Sequence, residues 1–181
     1  MIKKALIVID LQNDYFEGGS MELEGVNEVL KQSNKLIKYA REQNYKIYFV
    51  QHFALAKEAT FFVPETDGVE LHYKLDVQED TIVKKHYPNS FRETILKEEL
   101  DKENIHDLII CGAMTHMCID TTVRAGFDLG YNIVLANDAC ATKNLEFKDR
   151  TIDANEVQLS FISALGSIFC EVKQTDNIIN L

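Results

Sequence analysis

The sequence lacks tryptophan altogether and has only two prolines and eight glycines among its 181 residues. This composition leaves no proline-rich or glycine-rich segment that could link two domains, and the chain shows no internal repeat. A chain of this length can bury one large core. We therefore predict a single domain over residues 1–181.

Positive charge is also scarce, with 19 lysines and arginines against 29 aspartates and glutamates. The formal net charge of −10 argues against nucleic acid as a partner, because a phosphate backbone needs a basic surface. All apolar runs are too short to cross a membrane, and the first one ends at Asp10, too soon for a signal-peptide core. We expect a cytoplasmic protein that binds a small molecule and no membrane.

The four cysteines are far apart and form no Cys-x-x-Cys pair, so neither zinc nor disulfides are expected. Cys111, Cys140 and Cys170 lie in or beside apolar runs and are interpreted as core residues. Cys118 follows a short turn after the apolar run 108–111 and starts a segment with helical spacing. The positive end of a helix dipole favours the reactive thiolate there, and plain packing is the alternative.

Apolar runs and helical spacing alternate along the chain, which is typical of an α/β protein. We predict strands at 5–9, 46–51, 81–84, 108–111, 131–136 and 168–172, and helices at 26–43, 92–101, 154–166 and from 118 onward. The expected fold is a three-layer α/β/α arrangement around a mostly parallel six-stranded sheet with strand order 3-2-1-4-5-6. The irregular segment 53–79 is expected to be a functional loop.

Chemically useful side chains follow three of the predicted strands. Asp10 follows the first strand, Lys84 and Lys85 end the third, and Cys118 follows the fourth. Ligands of open parallel sheets bind at the carboxyl ends of the strands, so these groups are expected to share one cleft. The carboxylate could take the thiol proton, the ammonium could steady the ion pair, and the thiolate could attack. A turn-capping aspartate and a solvated lysine are the alternatives.

The segments around these residues resemble a known family. Residues 10–15 (DLQNDY), 85–91 (KHYPNSF) and 111–120 (CGAMTHMCID) resemble the first-strand, lysine and nucleophile motifs of the isochorismatase-like cysteine hydrolases, a superfamily that contains nicotinamidases. The similarity extends from Ala5 to about Val172. The run 70–73 (ELHY) and the turn before Cys118 resemble a subgroup that includes streptothricin hydrolase.

The resemblance implies hydrolysis of a carbon–nitrogen bond, often an amide, through a covalent thioester acyl-enzyme. Asp10 would be the general base and then the general acid, and Cys118 would be the nucleophile. The spacing to Phe91 assigns the catalytic role to Lys85, with Lys84 as the reserve.

The resemblance also implies a cis peptide bond between Ala113 and Met114. Its role would be to aim the N–H groups of Met114 and Cys118 at the oxyanion. The substrate pocket is expected to be formed by Phe16, His52, Phe53, Tyr87, Met114 and His116.

The sequence departs from nicotinamidases, which carry an Asp-x-His and a later histidine that bind a metal after the second strand. Gln51-His52-Phe53-Ala54 stands there instead, so no metal or other cofactor is expected and His52 is interpreted as a pocket or structural residue. True isochorismatases do not need the cysteine, so Cys118 argues against that reaction.

Other interpretations stay open, among them an isochorismatase-type or nicotinamidase-type activity. A non-catalytic binding protein could keep the same fold, and a nucleotide or flavin protein would need a glycine-rich turn after the first strand, where Asp10 to Asn13 stand instead. A homodimer or higher homo-oligomer is also expected. The identity of the substrate cannot be read from the pattern.

Overall fold

The computed structural model describes residues 3–180, and a parallel sheet of six strands forms its centre. The strands are β1 (Lys4–Ile9), β2 (Lys46–His52), β3 (Thr81–Lys85), β4 (Asp107–Ala113), β5 (Asn132–Ala141), β6 (Leu145–Phe147), β7 (Arg150–Ile152) and β8 (Glu171–Lys173). The order across the sheet is β3-β2-β1-β4-β5-β8, and β6 and β7 form a separate antiparallel hairpin. The predicted order is confirmed, since the hairpin changes only the number of the last strand.

Among residues 3–180, five α-helices accompany the sheet. They are α1 (Val26–Glu42), α2 (Leu96–Lys102), α3 (Asp120–Asp128), α4 (Ala154–Gly166) and α5 (Thr175–Ile179). Within residues 3–180, no helix combines the length and the apolar composition that crossing a bilayer requires.

The apolar side chains of β1 alternate between two cores, one on each face of the sheet. Leu6 and Val8 pack in the core that includes α1 and α5, whereas Ala5, Ile7 and Ile9 pack in the core that includes α2, α3 and α4. Because both faces of the strand are covered, a continuous apolar run is the sequence pattern that fits it. The predicted three-layer architecture is thereby confirmed.

The start of α2 differs from the prediction, since the helix begins at Leu96 and not near residue 92. Glu93 has a φ of +56°, which interrupts helical geometry before the helix can start. The Thr94 hydroxyl donates a hydrogen bond to the Ser90 carbonyl and accepts one from the Leu96 N–H. The Thr94 hydroxyl therefore satisfies the first N–H group of the helix from inside the segment that was predicted to be helical.

The last strand also differs, because β8 covers Glu171–Lys173 and the prediction placed it at 168–172. The N–H groups of Phe169 and Cys170 both donate to the Leu165 carbonyl, at 2.9 and 3.2 Å. These bonds close the end of α4 and take residues 168–170 out of the sheet.

The fifth strand was predicted to end at residue 136, but β5 continues to Ala141. Its pairing with β4 is regular up to Ile110 and shifts before Gly112, so the strand passes a polar segment by a bulge-like irregularity. Within that segment, Asp138 Oδ1 accepts hydrogen bonds from the N–H and the hydroxyl of Thr175 at the start of α5. Asp138 therefore anchors the last helix, and the polar pair 137–138 does not end the strand.

Candidate active site

Asp10 leaves β1 in an uncommon backbone conformation, with a φ of +53°. Left-handed φ values are rare outside glycine, and aspartate tolerates them better than most residues. The Asp10 N–H donates to the Val50 carbonyl at 3.0 Å, which ties this turn to β2. The side chain is fully buried. The turn thus places a carboxylate inside the protein at the carboxyl end of β1.

Gly112 brings β4 close to β1 at the same level of the sheet. It pairs with Ile9, has a φ of +125°, and a Cβ atom added to it would overlap the Ile9 carbonyl oxygen. Only glycine fits both the conformation and the space. The strand that leads to Cys118 therefore ends directly beside the strand that leads to Asp10.

Strand β3 separates its two lysines by alternation. Lys85 is fully buried, whereas Lys84 is exposed and its ammonium lies 5.2 Å from the centre of the Phe53 ring. Lys85 Nζ lies 2.8 Å from Asp10 Oδ2 and 3.1 Å from Cys118 Sγ. The structure therefore brings Asp10, Lys85 and Cys118 together and leaves Lys84 outside.

The second oxygen of the carboxylate is free to take a proton. Asp10 Oδ1 is buried, and no donor within residues 3–180 hydrogen-bonds to it. A carboxylate oxygen and Cys118 Sγ lie within 4.8 Å of each other. The arrangement has the parts that thiol deprotonation needs, namely a base, a nearby thiol and a cation that holds the base in place.

Two further acceptors surround the Lys85 ammonium. His52 Nδ1 lies 2.7 Å from Lys85 Nζ, and the Tyr87 carbonyl oxygen lies 3.2 Å from it. Burial and then the Lys85 charge lower the pKa of His52 from 6.5 to about 4, against the opposing effect of Asp10. His52 is therefore neutral near pH 7, and Nδ1 accepts a hydrogen bond from the ammonium. His52 contacts the charged centre and is not confined to the rim of a pocket.

Cys118 lies in the π-helical turn Thr115–Ile119, directly before α3. The Met114 carbonyl holds this turn by accepting from the N–H groups of Met117 and Ile119, at 3.0 and 3.2 Å. The Cys118 side chain is buried. The Ala113–Met114 peptide bond, which joins β4 to the turn, is cis.

The surroundings of Cys118 oppose the thiolate that the helix dipole was predicted to favour. Burial and then the Asp10 charge raise the pKa of the Cys118 thiol, and the Lys85 ammonium lowers it by less. The resting group is therefore a neutral thiol. A reaction at this sulfur needs a base that removes the proton, and Asp10 is the adjacent one.

Phe16 and Phe53, both predicted to line the pocket, pack against other aromatic rings. Phe16 is buried and stacks on His72, with ring centres 3.8 Å apart. The Phe53 ring packs against His86 at 6.4 Å between ring centres. Both residues belong to the loops that cover the sheet edge.

The side chains of Tyr87 and His116 make contacts with residues other than Lys85. The Tyr87 ring lies under the Arg92 guanidinium at 3.5 Å, and only its carbonyl contacts Lys85. His116 Nδ1 lies 2.5 Å from the Thr142 hydroxyl, just beyond β5. Of the predicted pocket residues, the structure thus brings His52 and the Tyr87 carbonyl into contact with Lys85.

Gln12 supports the site and was not predicted to do so. Its side chain is fully buried, its Oε1 accepts from the His52 N–H at 2.7 Å, and its Nε2 donates to the His52 carbonyl at 2.9 Å. Nε2 also donates to the Val69 carbonyl at 2.6 Å, which ties down the loop 53–79. The sequence offered one signal for this role. Gln12 is polar and follows Asp10 by only two residues, so it has to lie at the same edge of the sheet.

Asp14, Tyr15 and Phe62 form a second support that the prediction missed. Asp14 Oδ2 accepts from the Phe62 N–H at 2.5 Å, and the rings of Tyr15 and Phe62 lie 4.8 Å apart. The Phe62 ring lies 5.7 Å from His52. Burial raises the pKa of Tyr15 and the Asp10 charge adds to this effect, so the phenol stays neutral. The side of the site that faces the loop 53–79 is therefore largely aromatic.

Comparison with known proteins agrees with this geometry. The Isochorismatase domain matches residues 4–163. The uncharacterized isochorismatase family protein YddQ of Bacillus subtilis is 39% identical over 95% of this chain and 96% of its own length. A streptothricin hydrolase of Streptomyces noursei is 29% identical over 78% of this chain and 51% of its own. A crystal structure from Oleispira antarctica, assigned to the isochorismatase hydrolases, is 43% identical and superposes with a TM-score of 0.94 over 99% of this chain and 97% of its own. The chain therefore belongs to the isochorismatase domain family.

Proposed function

We propose that the protein is a metal-independent cysteine hydrolase that cleaves an amide-type carbon–nitrogen bond of a small molecule through a thioester. The observation that carries the proposal is the buried Lys85 ammonium, whose Nζ lies 2.8 Å from Asp10 Oδ2 and 3.1 Å from Cys118 Sγ. A nucleophile, a base and a cation in mutual contact are the parts of nucleophilic catalysis with an activated thiol.

In the first half of the reaction, Asp10 takes the proton of the Cys118 thiol and the sulfur attacks the carbonyl carbon of the substrate. The N–H groups of Met114 and Cys118 would stabilise the oxyanion of the tetrahedral intermediate. When the carbon–nitrogen bond breaks, the amine leaves with the proton that Asp10 returns, and the acyl group stays on sulfur as a thioester.

In the second half, Asp10 takes a proton from water and the resulting hydroxide attacks the thioester. The intermediate collapses to a carboxylic acid, and the sulfur leaves as a thiolate that recovers the proton from Asp10. The Lys85 ammonium balances the negative charge in both halves, because that charge moves only between the carboxylate, the oxyanion and the sulfur. One carboxylate therefore serves as base and acid in turn.

The relatives support a carbon–nitrogen bond as the target. The streptothricin hydrolase of Streptomyces noursei is named as a hydrolase, and a nicotinamidase of Arabidopsis thaliana is 29% identical over 82% of this chain and 78% of its own. A small-molecule substrate, a cytoplasmic location and a homo-oligomeric assembly stay predictions, and light scattering in solution would test the last of them.

A screen of small amides for release of ammonia or amine tests the proposal. Wild type and the Cys118→Ala variant are compared, with Cys170→Ala as the matched control because Cys170 is half-buried and lies between α4 and β8. We expect turnover in wild type and Cys170→Ala and none in Cys118→Ala. Mass spectrometry of the quenched reaction should show the acyl group on the peptide that contains Cys118. Binding of amides without turnover would instead favour the non-catalytic interpretation.

A further inference from the structure

Three different ligand atoms meet around the Lys85 ammonium. A carboxylate oxygen of Asp10, an imidazole nitrogen of His52 and Cys118 Sγ all lie within 4.8 Å of one another, the one such group among residues 3–180. An oxygen, a nitrogen and a thiol sulfur are the donors that Zn²⁺ and similar borderline-soft divalent ions prefer. The set is also largely buried, with only His52 partly exposed. The cluster thus has the ligand chemistry of a metal site.

The centre of this group is already filled by a cation. Lys85 Nζ lies 2.8 Å from Asp10 Oδ2, 2.7 Å from His52 Nδ1 and 3.1 Å from Cys118 Sγ. Zinc bonds to such atoms are about 2.0–2.3 Å long, so the ligands would need to close in by less than about 1 Å around an ion. The ammonium occupies the position that a metal ion would take.

We propose that Asp10, His52 and Cys118 form a latent site for Zn²⁺-class ions and that the Lys85 side chain keeps this site closed. The inference goes beyond the hydrolase reaction and does not depend on it, because it concerns only which cation the three ligands hold. Lys85 would then have a second task besides catalysis, which is to exclude thiol-seeking metals from the nucleophile.

Charge supports the exchange of one cation for the other. In the structure, the Lys85 ammonium lies 2.8 Å from Asp10 Oδ2 and compensates the charge of that buried carboxylate. Without the ammonium, a buried carboxylate is left uncompensated, which is costly. A divalent ion restores neutrality when Cys118 releases its proton to solvent and binds as thiolate, while His52 donates its free lone pair.

Each of the three ligands is also held by contacts that do not involve the Lys85 ammonium. The left-handed turn and the hydrogen bond from the Asp10 N–H to the Val50 carbonyl fix Asp10. The Gln12 side chain hydrogen-bonds to both the N–H and the carbonyl of His52. The π-helical turn fixes Cys118 through the Met114 carbonyl. Replacement of Lys85 by a smaller residue should therefore empty the centre and leave its walls in place.

Titration of metal-free Lys85→Ala and Lys85→Ser with Zn²⁺ by calorimetry tests the proposal, with Lys84→Ala as the matched control. We expect one equivalent to bind both Lys85 variants at least about 100-fold more tightly than wild type or Lys84→Ala. Co²⁺ should produce thiolate-to-metal charge-transfer absorption only in the Lys85 variants. Mg²⁺ should not compete, because it prefers oxygen ligands in an octahedral arrangement.

Double variants identify the ligands. Adding Cys118→Ser to Lys85→Ala should abolish the charge-transfer absorption, and adding His52→Ala should weaken the binding of Zn²⁺. Equal affinity of wild type and both folded Lys85 variants would overturn the proposal, as would binding that the double variants leave unchanged. If a Lys85 variant folds only in part, Zn²⁺ should restore its circular dichroism and raise its melting temperature, and failure to do so in both variants would equally overturn it.

Discussion

Two cysteines near the end of β4 show what distinguishes a reactive sulfur from a packed one. Cys111 lies in β4 among the apolar residues of the core beside α1, and Cys118 lies in the turn after it, 3.1 Å from the Lys85 ammonium. Both are buried, and burial raises the pKa of both thiols, to about 12 for Cys111. The resting pKa therefore does not separate them. Only Cys118 has a carboxylate and an ammonium at hand to take its proton and balance the charge.

Removal of each sulfur in turn is the strongest test of that contrast. Cys118→Ala should abolish turnover of any amide that the screen identifies, because no other residue can form the bond. Cys111→Ala should keep turnover, since that sulfur lies among the apolar residues of the core beside α1. The measurement is the rate of amine release, with circular dichroism as the control for folding. More than a trace of turnover in Cys118→Ala would show that the nucleophile is another group.

Removal of the Asp10 carboxylate should leave Cys118, like Cys111, without a neighbouring group that can take its proton. Asp10→Asn keeps the shape of the side chain but cannot take the thiol proton, so we expect kcat to fall by about 10²–10⁴-fold. The substitution also leaves Lys85 without its counter-charge, so the free energy of unfolding has to be measured beside the rate. Near-normal turnover in a folded Asp10→Asn variant would place the base elsewhere.

His52, which contacts the ammonium beside Cys118, should make the stability of the protein depend on pH. Its pKa is about 4 in the folded protein and 6.5 in the unfolded chain, so the unfolded state binds the proton more tightly. Stability from this group is complete above pH 6.5 and is lost as the pH falls towards 4, by about 3 kcal/mol at most. Urea unfolding of wild type and His52→Gln across this range should show the smaller loss in the variant. Parallel curves would mean that His52 titrates normally.

Chelation should have the smallest effect. If the Lys85 ammonium supplies the positive charge at Cys118, turnover should be unchanged after treatment with EDTA. Activity that is lost on chelation and restored by zinc or iron would mean that a metal ion, and not the lysine alone, makes Cys118 more reactive than Cys111.

The sheet was predictable because β1 and β4 are apolar on both faces, a pattern that a buried parallel strand requires. The late start of α2 and the extension of β5 were not, since they depend on the φ of Glu93 and on a shift in pairing before Gly112. Such local backbone features leave no periodic signal in a single sequence.

In the site, the motifs indicated Asp10, Lys85 and Cys118, which the structure brings together. The contact of His52 with Lys85 could not be predicted, because it depends on the pairing of these two residues across β2 and β3. The raised pKa of the Cys118 thiol could not be predicted either, because it depends on how deeply the folded chain buries the sulfur.

The alternation in β3 has a consequence for how the site is specified. Ile82 and Lys84 are exposed while Val83 and Lys85 are buried, so each face of this edge strand carries an aliphatic residue followed by a lysine. A shift of β3 by one residue would exchange its two faces, and each face would still carry an aliphatic residue followed by a lysine. The Phe53 N–H donates to the Lys85 carbonyl at 2.9 Å, directly after β2. The main chain at the strand end, and not the side chains of β3, selects which ammonium enters the protein.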